Sequence, residues 1–367
     1  MYRNRVLLVL AALAAFGLTP PSLVAQEQDP AALTYDVIEI PPFGAFDQTL
    51  GTAISDASIA AFVAIGDIQG LPTANAAMCK YSLAKGCADT DLGFIGDGGS
   101  GIFATVGAIS RDGDFVVGTR QTERPLGPNQ AFWQSTQGKL TRVDLPGLAV
   151  GELTNALGIT VDARGITGFG LDKDNVMFAL VWESATLKIS AELSPLQKGA
   201  PAMAYSGTSR SFVVGISAKN GERGVKWISA SGQPVELPSD TESIAVAANL
   251  FFDILGTNRA NGTTKCALWP LKGNRVDFGT VKFPEPKALN DSRIAVGKGM
   301  TAKGQRAMLW DLSNLKNIQE VDLNDQINPK LGWVLMAANG INSRGEIVGT
   351  GMLNKKVREF ILVPKKK

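Results

Sequence analysis

One interval recurs along this chain and limits what it can fold into. Apolar stretches ending in glycine appear as VAIG, FVVG, GITG, FVVG, DILG, IAVG and EIVG, closing at Gly66, Gly118, Gly168, Gly215, Gly256, Gly297 and Gly349. Successive glycines stand 41 to 52 residues apart. Periods of about 40 to 50 residues belong to four-stranded propeller blades, whereas helical repeats such as the TPR, at about 34, are shorter. A second feature keeps step: Trp133, Trp182, Trp227, Trp269 and Trp310 follow their glycines by 12 to 15 residues, with Tyr81 and Leu362 in that place in the first and last copies. A Trp carries about 150–250 Å² of surface, so one per copy is expected to pack between neighbouring sheets.

Each copy then closes on an acidic residue between apolar or small ones: Asp91, Asp144, Glu192, Glu236, Asp277 and Asp322. That alternation marks a strand with one wetter face. On an outermost strand the charge deters pairing with another chain. A ring of catalytic carboxylates is the poorer reading, because six copies of one residue type rarely perform one reaction. The clearest copy shows the whole unit: a first strand through Ala108-Ile109-Ser110, the turn Arg111-Asp112-Gly113, then strands at 114–120, 130–135 and 140–146. Asp-Gly between apolar runs is a hairpin signal. The seventh copy runs out at Pro364 without a fourth strand, while Ile38-Glu39-Ile40-Pro41 repeats the pattern of Val143-Asp144-Leu145-Pro146. The sequence thus predicts an all-β fold, a seven-bladed β-propeller of four-stranded blades over residues 34–364. Residues 35–41 are expected to pair with 358–363 and close the ring.

The phrases GAISRDGDFVVG, GINSRGEIVGTG and VDLNDQINPKLGWVLMAANGIN resemble the HAF-type extracellular repeats of bacterial secreted proteins. The third-strand Trp is similar to its counterpart in WD40 blades. The resemblance spans residues 53 to 362 and is most specific in the second and seventh copies. The His that names the HAF motif is replaced, as by Gln130 before Ala131-Phe132, and the His of the WD40 hydrogen-bond network is missing. What the resemblance implies is export and a propeller-like array; it carries no activity and no site residues across.

The first residues read as a secretory signal: Arg3 and Arg5, a 13-residue apolar run from Val6 to Leu18, and Leu23-Val24-Ala25 before Gln26. The run is shorter than the about 20 residues that span a bilayer. The expected organisation is a signal peptide at 1–25, a linker at 26–33, the propeller, and a basic tail at 365–367, in a protein of the periplasm or the exterior. Export makes the cysteines readable. Cys79 and Cys87, in a stretch able to form a hairpin, are expected to form a disulfide. Cys266, within Cys-Ala-Leu-Trp, is expected to be a buried free thiol.

The chain has no histidine, which removes Ser-His and Cys-His nucleophile pairs and imidazole metal sites. With 36 basic and 34 acidic residues it has no footprint for nucleic acid. The glycine-rich stretch 96–101 lacks the Lys-Ser/Thr of a phosphate loop. Asp112 and Asp114, like Asp172 and Asp174, lack the further ligands of a calcium loop. No cofactor and no metal are therefore expected. The reading is a monomeric, non-catalytic binding or scaffold propeller without a membrane span, whose ligand is a protein or a glycan. The alternative is a carbohydrate-active enzyme using loop carboxylates. Two acidic side chains from different loops within about 5–10 Å over the channel mouth would favour the enzyme.

Overall fold

The computed structural model describes residues 34–365 apart from 43, 45, 69–70, 93–102, 122–128, 139, 149–152 and 229–232. The expected signal peptide and linker, the glycine-rich stretch, Lys366 and Lys367 lie outside the described residues. No helix among the described residues is long and apolar enough to cross a membrane.

The chain forms seven antiparallel four-stranded sheets. Six of them follow chain order, as blades 1 to 6 at residues 48–91, 104–144, 154–193, 202–236, 242–278 and 282–322. First strands of neighbouring blades touch all the way round, blade 7 against blade 1 included, so they surround the axis and the fourth strands form the rim. The middle strands of each blade are apolar on both faces. In Met177–Glu183, for example, Ala179 to Trp182 are all buried in succession. A strand of that kind is stable only when its sheet is covered on both sides, which stacking blades around a ring provides.

Blade 7 takes Trp333–Ile341, Ile347–Leu353 and Lys356–Pro364 from the C-terminal end and its outer strand, Tyr35–Ile40, from the N-terminal end. The register runs from Tyr35 opposite Pro364 to Ile40 opposite Glu359. Ile38 and Ile40 join one apolar cluster with Phe62, Cys79 and Tyr81 of blade 1 and Val348 and Ile361 of blade 7. One short strand therefore completes a sheet and also covers the seam beside it. The first tail lysine belongs to this seam, since the Lys365 N–H donates to the Thr34 carbonyl at 2.8 Å.

The recurrent glycine has a steric cause. In blades 2 to 7 the first strand bulges, and Gly118, Gly168, Gly215, Gly256, Gly297 and Gly349 lie opposite the residue just before the bulge. A Cβ on any of the six would overlap a first-strand carbonyl oxygen, that of Ile244 for Gly256 and of Ala337 for Gly349. Bulges commonly demand such close backbone approach. Blade 1 also bulges, but there the glycine is on the first strand, as Gly51, and Phe62 faces it. Gly66, expected to be the first of the series, pairs with Thr73 further along the strand.

Pairing also sorts the aromatic series. Trp182, Trp227, Trp269 and Trp310 face the residue two positions before the glycine and are 0 to 5% exposed. The indole N–H groups of Trp182, Trp227 and Trp269 donate to the carbonyls of Pro146, Ser194 and Pro238, each at 2.8 Å and each just past the outer strand of the preceding blade. The equivalent residues are Cys79 in blade 1, Gln134 in blade 2 and Leu362 in blade 7. Tyr81 and Trp133 miss the position by two residues and one. A one-residue offset turns a side chain to the other face of its sheet. Trp133 is accordingly half-buried against Phe115, with ring centroids 5.9 Å apart. Gln134 makes the bond between blades instead, from Nε2 to the Leu92 carbonyl at 2.6 Å.

Two outcomes follow. Trp182→Ala should cost about 3–5 kcal/mol, as buried aromatic truncations do, and Trp133→Ala about 1–2 kcal/mol for partial burial. Urea midpoints measure both, and equal losses would refute the register of blade 2. Deleting residues 26–41 uncovers the third strand of blade 7. The truncated chain should melt lower and aggregate, whereas melting like a chain of residues 26–367 would contradict closure.

Candidate functional site at the channel mouth

Strands alternate in direction, so the turns joining first to second strands emerge together at one end of the ring. Because first strands surround the axis, these turns crowd around one mouth of the channel. They comprise residues 55–58, 110–114, 160–164, 210–211, 249–253, 290–293 and 342–346.

Side-chain amides lace part of this ring. Asn249 Nδ2 donates to the Asn290 carbonyl, Asn290 Nδ2 to that of Asn342, and Asn342 Nδ2 to that of Ser55, at 3.3, 3.2 and 3.0 Å. Each of these Asn residues also caps its own turn: the Asn249 side-chain oxygen accepts the Phe251 and Asp253 N–H groups. Such short polar side chains favour turn starts. Arginines make a second layer of links. Arg293 binds the wholly buried Asp253 of the blade before it at 2.7 Å, and Arg210 pairs with Glu183 of blade 3. Arg344 holds Glu346 and the Asp56 carbonyl, and the Tyr81 hydroxyl donates to Glu346 at 2.6 Å.

The central member is Arg111. Its Nε lies 2.8 Å from Asp56 in blade 1, and its Nη1 lies 2.8 Å from Asp291 in blade 6, on the far side of the mouth. Asp291 also accepts the Leu250 N–H of blade 5, and Asp56 accepts the Ser343 N–H of blade 7. Turns of five blades thus meet at one guanidinium. Burial opposes ionisation of Asp56, but hydrogen bonds from Arg111 and Ser343 and the Arg111 charge outweigh it and hold this carboxyl below its usual range.

The acidic residues of the outer strands are engaged within their own blades. Asp144 pairs with Arg120 at 2.6 Å, Glu236 with Lys219 at 3.2 Å, Asp277 with Arg275 at 2.8 Å and Glu39 with Arg358 at 3.4 Å. Asp91 accepts from Asn75 at 2.9 Å, and Arg306 lies 3.7 Å from Asp322. Glu192 is exposed. These rim groups stand apart from the mouth, and the solvent-exposed pairs among them contribute about 1 kcal/mol or less each. Asp112 and Asp172 close turns, each accepting the N–H two residues on. Cys79 and Cys87 are joined in a disulfide across the third and fourth strands of blade 1, with Cα atoms 5.6 Å apart, and Cys266 is free and buried.

A further ionisable residue escaped the sequence reading. Glu359, in the third strand of blade 7, is wholly buried against Gly51 of blade 1, where a Cβ would overlap its carboxylate. Its backbone N–H donates to Thr49 Oγ1 at 3.1 Å, but neither carboxylate oxygen has a hydrogen-bond partner among the described residues. Burial, with the Asp89 charge added, holds its carboxyl well above the usual range. Asp89 is itself pushed up to about 6 by burial. An acid with a folded pKa above its unfolded value binds its proton more tightly when folded. Neither group therefore penalises folding below about pH 4, and stability falls as pH rises from the unfolded range toward the folded pKa. Glu359→Gln should raise the melting temperature at pH 7 and leave it unchanged at pH 4. A variant less stable than the parent at pH 7 would show that the ionised group is satisfied.

No protein-family model and no curated protein matches the chain. Solved structures resemble it in fold. The β-propeller domain of the trilobed protease from Pyrococcus furiosus matches with a TM-score of 0.59 at 11% identity, covering 87% of this chain and 95% of that one. The acylaminoacyl peptidase of Pyrococcus horikoshii matches at 0.55 with 8% identity over 87% of this chain and 52% of its own. Puromycin hydrolase matches at 0.54 with 12% identity over 86% and 51%. The chain spans about half the length of the latter two. Identities this low define a class, the β-propeller, and extend no further. The trilobed protease domain is described as having an open velcro topology; here the N-terminal strand lies on the last blade and closes the ring.

Proposed function

We propose that this chain is an exported, non-catalytic binding or scaffold propeller whose ligand is a protein or a glycan. The observation that supports it best is the condition of the carboxylates at the mouth. Asp56 and Asp291 come from different turns and meet over the channel, as an acid–base pair would, but both are spent on Arg111. Glycoside hydrolysis needs one carboxyl that keeps its proton near neutrality. Asp56 is held ionised instead, so the carbohydrate-active alternative loses its nearest pair. Export is supported by the basic, apolar and small residues in order at the N-terminus. The Cys79–Cys87 disulfide supports it too, since such bonds persist in oxidising compartments.

Affinity capture from the cell envelope of the native organism, with residues 26–367 as bait, tests this reading beside an assay for sugar release. The expected result is a retained protein or glycan and no release. Sugar release that Asp56→Asn or Asp291→Asn abolishes would overturn it.

A further inference from the structure

Hydrophobic exposure is uneven over this molecule. Eleven large hydrophobic side chains are exposed among the described residues, and six of them, Ile228, Val235, Leu250, Phe251, Phe252 and Leu271, lie at the turn-side ends of blades 4 and 5. Strand register makes them one strip. Trp227 faces Val213, so extending that hairpin toward the mouth sets Ile228 beside Phe212, and in blade 5 Leu271 follows the third strand at the same end as the turn that carries Phe252. The rings of Phe212 and Phe252 meet edge to face at 4.9 Å and bridge the two blades. Leu250 and Phe251 extend the strip at the tip, where Phe251 is 60% exposed. Other blades place Asp112-Gly113, Arg164-Gly165 or Arg344-Gly345 in this turn. A contiguous apolar surface of this kind marks a contact site.

Shape and charge narrow the occupant. The strip is carried on turn tips, which are convex and suit a deformable partner. Its acidic neighbours are already engaged, Glu183 by Arg210 and Asp253 by Arg293. Lys272 follows Leu271 and is exposed, and Lys226 stands opposite Val235. Apolar tips flanked by lysines match a membrane interface, where rings and alkyl chains enter below the headgroups and ammonium groups meet anionic lipid. A second copy of the chain would bring the same lysines.

We propose that the turn-side ends of blades 4 and 5 dock on an anionic lipid surface, with Leu250, Phe251 and Leu271 entering the headgroup region and Lys226 and Lys272 meeting lipid phosphate. This contact does not rest on the binding reading, so its failure leaves that reading standing.

The test is co-sedimentation of the mature chain with phosphatidylcholine vesicles, with and without phosphatidylglycerol. Binding should require phosphatidylglycerol and weaken with salt. Phe251→Ser with Leu271→Ser should weaken it at least about tenfold, at a melting temperature equal to the parent's. Lys226→Glu with Lys272→Glu should remove the preference for phosphatidylglycerol. Absence of binding by the parent, or unchanged binding by the Phe251→Ser/Leu271→Ser variant, would overturn the proposal. So would a concentration-dependent dimer that the same variant abolishes, which would identify a second copy as the occupant.

Discussion

A blade with three strands from one part of the chain leaves its third strand as an unpaired edge unless a fourth is supplied from elsewhere. Tyr35–Ile40 meets that condition by pairing with Lys356–Pro364, more than 300 residues away. Its apolar face also roofs the seam over Phe62 and Cys79, so the strand serves a backbone and a core requirement at once. Loop-closure entropy rises only slowly with length, and the long separation adds little to the cost of closing. It does place closure among the non-local contacts that form late. Glu359, whose carboxylate oxygens have no hydrogen-bond partner among the described residues, lies in this same seam, and burial pushes its carboxyl and that of Asp89 above their usual range.

Within each blade a local grammar repeats. A bulge in the first strand drives a carbonyl toward the second strand, and glycine opposite leaves room for it. Two residues earlier the second strand meets the third-strand Trp, which donates to a carbonyl at the outer edge of the preceding blade. In blades 3, 4 and 5 bulge, glycine and indole thus tie the axis to the rim and each blade to the one before it, whereas the Trp310 N–H of blade 6 donates to Glu320 of its own blade. Blade 2 preserves the bond with Gln134 and blade 7 preserves only the burial with Leu362. The geometry is therefore less variable than the residues that fill it.

Blade number, strand order and the closing strand were legible because each rests on a pattern that repeats in phase: glycine, Trp, acidic residue. Register was not. Alternation identifies a strand without locating its bulge, and the aromatic run Phe132-Trp133 hid the fact that Gln134 occupies the packing position. Gly66 misled for a similar reason, since the glycine of blade 1 stands on the facing strand. The disulfide was legible from the spacing of Cys79 and Cys87 together with the expectation of export. The mouth was not, because Arg111 read as an ordinary turn residue, Asp291 carried no signal of its own, and only the closed ring brings them together. Asn249, Asn290 and Asn342 recur visibly before their turns, but their reach to the next blade depends on tertiary geometry. Glu359 stands in an ordinary charged stretch, Lys355 to Glu359, and its burial follows from a register that no local signal carries.

Pairing between the chain ends is the claim on which blade count, seam and mouth all depend, and an engineered cross-link tests it directly. Ile38 and Ile361 stand opposite each other, and directly opposed residues have Cβ atoms about 4.5–5.5 Å apart, near the reach of a disulfide. In a chain carrying Ile38→Cys and Ile361→Cys, closure in this register predicts that mild oxidation links peptides containing positions 38 and 361, with the Cys79–Cys87 bond retained. No link at that pair, with ready linkage when Ile38→Cys is combined with Phe360→Cys instead, would contradict it.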